Sequence, residues 1–297
     1  MEPLDVAVVV ITQNRRARLL ATLDRLCGLE ERPHVVVVDN GSRDGTPQAV
    51  AAAFPRVELI ALERNIGAAA RNVGVSATRS PFVAFADDDT WWESGSVRRA
   101  AAVLDRYPVA GVVNARIVVE PDGDEDPICA ELAHSPVPSP AAGLPALVSF
   151  LAGASMVRRE AFTAAGGFSP RLLIGGEEEL LAADLLSAGW AIVYCDEAVV
   201  HHAPSPHRDP DLRRLQGIRN TLWFTWLRRP LASALVRTGR ILGSVPWDMV
   251  TARALAQAAR GTPWVLRSRR VVPDVVEAQY RLIDRGQFRS EARRYVS

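Results

Sequence analysis

The fold is decided by the stretch VVVVDNGSRDGT at residues 35–46. Four consecutive valines indicate a strand that is buried on both faces, as in a parallel sheet. The strand ends at Asp39, and the Asn-Gly and Asp-Gly pairs that follow it favour turns. Thr46 could cap the next helix. A turn followed by a helix cap explains the glycines and Thr46, but it leaves Asp39 without a role.

Apolar strands alternate with helical patterns on both sides of this stretch. Alternation of this kind predicts βαβ units, and therefore an α/β fold with a mostly parallel sheet flanked by helices. Further strands are predicted at 6–12, 57–61, 82–86, 151–157 and 191–195, and helices near 15–27, 47–53, 67–78, 94–105, from 159, and at 178–188. The stretch 120–143 is rich in proline and acids and has no clear period, so we expect a long surface excursion there.

The chain divides by pattern into a body at residues 1–207 and an extension at 208–297. Beyond residue 210 the pattern is helical throughout, with prolines separating successive segments. The extension is therefore predicted to consist of helices.

The net charge of +1 over 297 residues hides an uneven distribution. Residues 1–207 hold 17 arginines against 27 acids, whereas residues 208–297 hold 18 arginines against 7 acids. A basic extension could meet an anionic membrane, a phosphate-bearing acceptor, or a neighbouring subunit. Its tryptophans suit a membrane interface, but they suit equally a helical appendage that packs on the body or forms a homodimer. They are Trp223, Trp226, Trp247 and Trp264.

The cysteines and the N-terminus indicate a cytoplasmic protein. Cys27, Cys129 and Cys195 are far apart and odd in number, so they suggest neither a disulfide framework nor a metal cluster. The N-terminus lacks the charge pattern of a signal peptide, and no run of 18 apolar residues predicts a membrane span. We therefore expect a cytoplasmic location, with peripheral contact at the inner face of the membrane as an option, and no nucleic acid partner.

Three adjacent aspartates, Asp87 to Asp89, follow the strand at 82–86. Their carboxylates would repel one another unless a cation relieved the repulsion. Mg²⁺ or Mn²⁺ prefers oxygen ligands and commonly binds one or two carboxylates together with substrate phosphates. The alternative is an acidic cap on the helix at 94–105, because acids are common near helix starts.

The segment ERNIGAAARNVG at 63–74 lies between the two acidic clusters. Its small residues from Gly67 to Ala70 let a ligand approach a helix start, where free N–H groups favour phosphate. Arg64 and Arg71 can supply positive charge. Small residues also favour close helix packing, so this segment alone is a weak signal.

Taken in order, VVVVDNGSRDGT, ERNIGAAARNVG and FADDD resemble the family 2 glycosyltransferases of the GT-A fold. GASMVRREAFTAAGGF at 153–168 resembles the acceptor-side segment of that family, and GGEEELLAADLLSAGW at 175–190 resembles its Gly-Glu-Asp helix. The resemblance covers about residues 5–203. It implies a GT-A sheet in which a Rossmann-like half at about 5–115 binds the nucleotide sugar and a half at about 116–207 binds the acceptor.

The resemblance also implies roles for individual residues. Asp39 matches the aspartate that binds the nucleotide base, with Asp44 supporting its loop. The other positions implied to contact the nucleotide sugar are Arg64, Asn65, Arg71, Asn72, Asp87 and Asp88. Asp87 and Asp89 match the outer members of the DXD metal motif. A histidine at the position of His201 and His202 is implied as a further contact to metal or diphosphate, and we predict His201 for it. A structural role for His201 is equally open.

Glu178 stands where the family usually carries its catalytic aspartate. Glutamate is a competent base but reaches one methylene further. Glu177 and Glu179 flank it, and helical spacing points the three side chains in different directions, so only one should face the acceptor. A charged helix start without a catalytic role remains the alternative.

We therefore predict an inverting transferase that moves a sugar from a UDP- or dTDP-sugar to a hydroxyl of a saccharide, a lipid-linked acceptor or a small molecule. Polysaccharide, glycolipid or glycosylated-metabolite synthesis follows only from the family analogy. The alternatives are a nucleotide-sugar-binding module without catalysis and a metal-dependent nucleotidyltransferase. The segment from Thr12 to Arg16 lacks the glycine-rich phosphate loop that a nucleotidyltransferase or a dinucleotide oxidoreductase would need.

Overall fold

The computed structural model describes residues 5–204 and 209–287. Its strands are β1 Val6–Thr12, β2 His34–Asp39, β3 Glu58–Ala61, β4 Phe82–Asp87, β5 Thr90–Trp92, β6 Ala110–Val119, β7 Asp124–Glu125, β8 Ala146–Leu147, β9 Ser155–Arg158 and β10 Ala191–His202. Helices of the body are α1 Arg16–Cys27, α2 Thr46–Ala53, α3 Ala70–Ala77, α4 Ser96–Arg106, α5 Ile128–Ala133, α6 Arg159–Ala164 and α7 Glu177–Ser187. Helices of the extension are α8 Pro210–Arg228, α9 Leu231–Ser244, α10 Met249–Arg260, α11 Thr262–Ser268 and α12 Asp274–Gln287.

These strands form one sheet in the order β3-β2-β1-β4-β9-β6-β10-β5, with β7 beside β6 and β8 beside β10. The first four strands in that order are parallel to one another, and β6 is parallel to β10. The predicted α/β fold with a mostly parallel sheet is therefore confirmed. The continuous valine runs of β1 and β2 are fully covered because helices pack on both faces of the sheet.

The centre of the sheet departs from the predicted pattern. β9 lies antiparallel between β4 and β6, and the long strand β6 was not predicted. The excursion predicted at 120–143 is partly structured, because it contains β7 and α5. Cys129 on α5 is fully buried beneath that helix. Buried apolar side chains hold α5 in place, but a helix of six residues is too short to show a helical period in the sequence.

The sheet brings the ends of three strands together at one edge. Thr12 is the register partner of Asp39, and Ile11 is the register partner of Asp87. Because β1 lies between β2 and β4, the two aspartates are separated by two strand spacings, roughly 10 Å. The acidic clusters thus share the edge at which ligands bind in open α/β sheets.

The predicted helical extension is present in the structure, and it packs against the end of the body that carries α7. A second apolar cluster joins the two parts through Leu180 of α7, Phe224 of α8 and Tyr280 of α12. The domain boundary at residue 207 stays a prediction. In the part of the chain that the structure describes, every helix is too short or too polar to cross a membrane.

Arg229 is the charged centre of the extension. Its guanidinium is fully buried and pairs with Glu277 at 2.6 Å and with Asp284 at 2.7 Å. Burial alone would raise the pKa of Glu277, but hydrogen bonds from Arg229 and Ser233 outweigh it and hold that pKa below its ordinary value. The stabilisation is therefore present at neutral pH and is lost on acidification, when Glu277 takes up a proton.

Replacing Arg229 by methionine should lower the free energy of unfolding by about 3–5 kcal/mol, because it leaves buried carboxylates without their counter-charge. Arg253→Met, at an exposed position on α10, is the matched control and should change it by less than about 0.5 kcal/mol. Urea unfolding of both variants measures the difference. Equal midpoints would contradict the buried network.

Candidate active site

Asp88 and Asp89 turn toward the loop that follows β1. Arg15 donates hydrogen bonds from one nitrogen to both carboxylates, each at 3.0 Å, and the Thr12 hydroxyl donates to Asp88 at 3.0 Å. Burial raises the pKa of Asp88 to about 6, against the opposing charge of Arg15. Both carboxylate oxygens of Asp88 accept hydrogen bonds and its surface is buried, so Asp88 positions the loop after β1 and does not line the site.

Asp87 is the exposed member of the triplet and pairs with Arg71. The Asp87 side chain is 39% exposed, whereas that of Arg71 is 4% exposed. The guanidinium carbon of Arg71 lies 5.7 Å from the ring centre of Phe85 and 5.6 Å from that of Phe168. Because the surface of Arg71 is covered, its charge reaches the site only through its pair with Asp87.

The second carboxylate oxygen of Asp87 faces Gly153. A β-carbon at Gly153 would lie 2.6 Å from that oxygen, so only glycine fits without displacing it. Thr90 completes the arrangement, since its hydroxyl donates to the Gly153 carbonyl at 3.0 Å and lies 2.7 Å from the Asp87 amide. The acceptor-side segment at Gly153 is thereby held against the aspartate triplet.

The two histidines at the end of β10 face opposite ways. The His201 ring is parallel to Trp91 at 5.4 Å, and its Nδ1 lies 2.8 Å from Glu120. His202 instead places Nε2 4.0 Å from Oδ1 of Asp89. The structure therefore puts His202, and not the predicted His201, beside the triplet. An irregularity in β10 between Cys195 and Val199 sets which face each histidine takes, and sequence alternation does not reveal it.

Asp39 ends β2 with one carboxylate oxygen engaged and one without a partner. Oδ2 accepts the Ser42 amide at 2.9 Å, while the buried Oδ1 has no hydrogen bond. An orphan buried acceptor is costly unless a ligand donor reaches it. Asn40 joins this loop to the next one, since it accepts the Ile66 amide at 3.1 Å and donates to the Gly67 carbonyl at 3.3 Å.

The remaining predicted donor-side residues differ in their surroundings. Asp44 accepts the Arg16 and Thr46 amides at 3.1 Å each and so holds the loop to α1. The Thr46 hydroxyl and these amides lower the pKa of Asp44. Asn65 donates to Gln13 at 2.6 Å and accepts the Gly67 amide at 2.7 Å. Both residues shape the loops around Asp39.

Arg64 and Asn72 lie at opposite ends of their segment. Arg64 is exposed at the loop beside Gly41. Asn72 uses both ends of its amide on the backbone of Phe168, at 2.8 and 2.9 Å. Arg64 is thus accessible to a ligand, whereas Asn72 fastens α3 to the turn at 166–168.

The three glutamates at the start of α7 separate as helical geometry requires. Glu179 forms an ion pair with Arg237 of α9 at 2.7 Å. Glu177 is buried, one of its oxygens has no partner, and burial together with the charge of Glu178 raises its pKa well above the ordinary value. Glu178 is only partly covered.

Burial also raises the pKa of Glu178. Backbone hydrogen bonds at Glu178 itself and at Ala152, together with the charge of Arg71, lower this pKa but do not outweigh burial. The charge of Asp87 acts in the same direction as burial. Glu178 therefore shares its surroundings with Arg71, Asp87 and the segment at Ala152. A carboxylate with a raised pKa is a stronger proton acceptor than an ordinary carboxylate.

The extension holds the loop that leads into α7. Asn220 of α8 is fully buried and donates to the carbonyls of Ile174 at 3.1 Å and Gly175 at 2.5 Å. The preceding carbonyl, of Leu173, accepts the Ala68 amide at 2.8 Å. This loop thus links α8, α7 and the segment at Gly67 in one arrangement.

Asn220→Ala removes both donors to that loop. We expect it to lower stability by about 1–3 kcal/mol, because two carbonyls lose their partners. We also expect turnover to fall by about tenfold, with the KM for the nucleotide sugar within about twofold. The carboxylate of Glu178, the predicted base, is still present in this variant, but the loop that positions it is no longer held. Steady-state kinetics checks this. Leu212→Ala, exposed on the same helix, is the control, and equal turnover in the two variants would contradict a positioning role.

Sequence reasoning missed Arg15, although a signal was present. Arg15 follows the carboxyl end of β1, and the same rule selected Asp39 and Asp87. Asn220 gave no signal, because a single asparagine in a helical pattern does not reveal the loop that it will meet.

Comparisons with known proteins identify the family to which this chain belongs. The model of the family "Glycosyl transferase family 2" matches residues 7–164. An N-acetylglucosaminyl-diphospho-decaprenol L-rhamnosyltransferase of Mycobacterium tuberculosis is 29% identical over 274 residues, covering 75% of this chain and 87% of the relative. A pre-mycofactocin glycosyltransferase of the same organism is 28% identical, covering 86% of this chain and 58% of the relative.

Solved structures share the fold. A mannosyltransferase of Pyrobaculum calidifontis has a TM-score of 0.58 at 20% identity, over 95% of this chain and 86% of its own. The structure of GalNAc-T7 has a TM-score of 0.61 at 13% identity, over 90% of this chain and 56% of its own. The family model spans more than half of the sequence and includes β1, β2 and the aspartate triplet. The chain belongs to family 2 of the glycosyltransferases and is a nucleotide-sugar-dependent glycosyltransferase.

Proposed function

We propose that this enzyme inverts the anomeric centre of its donor in a single displacement, with Glu178 as the base. The charges of Arg71 and Asp87 act on both Glu177 and Glu178, and the observation that carries the proposal is that Glu178 is the partly exposed one of these two glutamates. That arrangement brings a proton acceptor to the aspartates at which the donor diphosphate would be held.

Asp39 supports the assignment of the donor as a UDP- or dTDP-sugar. The orphan Oδ1 of Asp39 can accept the ring N–H of uracil or thymine. Roughly 10 Å separates Asp39 from Asp87, which leaves room for the ribose between base and diphosphate. Arg64 and Asn65 lie along the rim of that path. Guanine also presents a ring N–H, so a GDP-sugar belongs in the test.

A divalent cation, Mg²⁺ or Mn²⁺, fits the residues beside the diphosphate position. Asp89 and His202 face each other, and the free oxygen of Asp87 lies against Gly153. Within residues 5–204 and 209–287, no group of three His, Cys, Asp or Glu residues could hold an ion alone. Two protein ligands completed by phosphate oxygens suit Mg²⁺ and Mn²⁺. Mn²⁺ is present in the solved structures of the mannosyltransferase and GalNAc-T7.

In the proposed step, Glu178 takes the proton of the acceptor hydroxyl while that oxygen bonds to the anomeric carbon. The bond from that carbon to the diphosphate oxygen breaks on the opposite face, and the nucleoside diphosphate leaves with the electron pair. Arg71, through its pair with Asp87, keeps positive charge beneath the departing group. A bound cation would neutralise the charge that develops on the diphosphate.

For the acceptor we propose a lipid-linked saccharide, with a free saccharide or a small molecule as the other options. The name of the rhamnosyltransferase relative indicates a decaprenyl diphosphate acceptor. The name of the pre-mycofactocin glycosyltransferase indicates a pre-mycofactocin as the acceptor. Such acceptors place the enzyme in polysaccharide, glycolipid or glycosylated-metabolite synthesis, in the cytoplasm and at the inner face of the membrane. A binding module without catalysis and a nucleotidyltransferase are not favoured by these relatives.

A thermal-shift screen of UDP-, dTDP- and GDP-sugars, each with Mn²⁺ and with EDTA, tests the donor assignment. A donor at 100 times its Kd should add about 2.7 kcal/mol of stability. We expect a UDP- or dTDP-sugar to do so only with the metal. Proton NMR of the product then reads the anomeric configuration, and retention of configuration would overturn the proposed displacement.

A further inference from the structure

Exposed apolar side chains are concentrated in the extension. Of the 13 large hydrophobic residues that are exposed in the described chain, ten lie between residues 212 and 282. Two neighbouring helices carry the largest share. Leu231, Leu235 and Val236 are exposed on α9, and Val275 and Leu282 are exposed on α12. We call these five residues the α9–α12 face.

The two helices are adjacent, and their exposed apolar residues lie on the two sides of the line of contact between them, where Val236 is the one nearest to that line. The Ser233 hydroxyl donates to Glu277 at 2.6 Å, and Arg237 lies 3.4 Å from Asp284. Leu231 and Leu235 are four residues apart on α9, and Val275 and Leu282 are seven apart on α12, which places each pair on one side of its helix.

A groove between these helices is lined by guanidinium groups. Its volume is about 320 Å³, and its walls include Val236, Arg240 and Arg281 together with Arg237 and Asp284, which pair with each other. Arg240 is exposed, and the Arg281 side chain is 61% exposed. Long arginine side chains can lay their stems on apolar surface while the charged group reaches a polar headgroup. The groove therefore places cationic groups beside the exposed apolar residues.

The acids of these helices leave the face positive. Asp284 pairs with Arg229 and Arg237, and Glu277 pairs with Arg229 and, at 3.0 Å, with Arg281. On the described part of α9 and α12, this leaves Asp274 as the exposed carboxylate. The extension as a whole carries 18 arginines against 7 acids. An apolar face with a cationic groove is complementary to an anionic lipid surface.

We propose that the α9–α12 face docks this enzyme on an anionic bilayer, with the leucines and valines entering the lipid and the groove arginines meeting the phosphates. A second copy of the chain fits less well, because a symmetric contact would set two cationic grooves against each other. The purpose of docking rests on the lipid-linked acceptor proposed above, whereas the docking itself does not.

Sedimentation with vesicles tests the proposal on the full-length protein without donor or acceptor. We expect binding to vesicles of phosphatidylcholine containing about one third phosphatidylglycerol, at least about tenfold weaker binding to phosphatidylcholine alone, and release by salt. The double variant Leu235→Ser/Val275→Ser should bind at least about tenfold more weakly than wild type. Val109→Ser, exposed on the body, is the matched control and should bind as wild type does.

Two further readings separate the possible outcomes. Donor-induced thermal shift should be unchanged in the double variant, so a failure of docking and a failure of the donor site are distinguishable. Light scattering measures the oligomeric state of each variant. Failure of the wild type to sediment with anionic vesicles, or equal sedimentation of the double variant, overturns the proposal. A wild-type dimer that the double variant converts to a monomer also overturns it, in favour of a second copy.

Discussion

Glu178→Gln is expected to lower turnover by about 10²–10⁴ while donor affinity stays within about twofold, because general base assistance is worth that much and glutamine cannot accept the proton. Glutamine keeps the size of the side chain and one acceptor oxygen. The loss should therefore appear in kcat rather than in the KM for the donor. Steady-state kinetics with the donor found in the thermal screen measures both constants.

The pH dependence sharpens this prediction. Because burial raises the pKa of Glu178, the acidic limb of kcat/KM should lie above the ordinary glutamate pKa of 4.5. Glu178 must be ionised to act, so activity should rise with pH through that limb. The limb should vanish in Glu178→Gln, since the residual reaction no longer uses the carboxylate.

Neighbouring glutamates provide the controls. Glu177→Gln keeps the proposed base and should retain turnover within about tenfold, because the Glu177 side chain is buried whereas Glu178 is partly exposed. Glu179→Gln breaks the pair with Arg237 and should act mainly on stability. Loss of activity in Glu177→Gln together with normal activity in Glu178→Gln would assign the base to the other residue.

The second large effect is expected at Asp89. Asp89→Asn removes one charge from the proposed cation site but keeps the shape of the side chain. Charge stabilisation by a metal ion is worth several kcal/mol, so turnover at low Mn²⁺ should fall by about a thousandfold. Raising the Mn²⁺ concentration should restore part of the activity, because the variant binds the ion more weakly. Kinetics over a Mn²⁺ titration measures this.

Asp105→Asn is the matched control for charge, since Asp105 is exposed on α4. It should leave both turnover and the Mn²⁺ dependence unchanged. A thousandfold loss in Asp89→Asn that no concentration of Mn²⁺ relieves would instead indicate that Asp89 acts through Arg15, which it contacts at 3.0 Å.

Local sequence predicted the parallel half of the fold well. The continuous valine runs of β1 and β2 predict strands that are buried on both faces, and the polar turn after Asp39 marks the end of a strand. A strand was predicted at 151–157, but the antiparallel direction of β9 was not, because a four-residue strand takes its direction from its neighbours. Long-range pairing with β4 and β6 fixes it.

The candidate site shows the same division. Residues that follow strand ends, such as Asp39 and Asp87, were found because topology alone brings them together. The identity of the facing histidine was not found, since the irregularity in β10 decides it. Partners from the extension, such as Asn220 and Arg237, lie more than 40 residues from the loop and helix that they hold. Their contacts depend on tertiary packing, which no local pattern encodes.

In the proposed function, the aspartates after β4 hold a cation, and this cation in turn holds the diphosphate. Titration calorimetry of UDP, dTDP and GDP into the wild type and into Asp87→Ala/Asp89→Ala, each with Mn²⁺ and with EDTA, tests it directly. For at least one of these nucleotides we expect wild-type affinity at least about tenfold higher with Mn²⁺ than with EDTA, a gain of about 1.4 kcal/mol, and no such gain in the double variant. Equal affinity under all four conditions would contradict the claim.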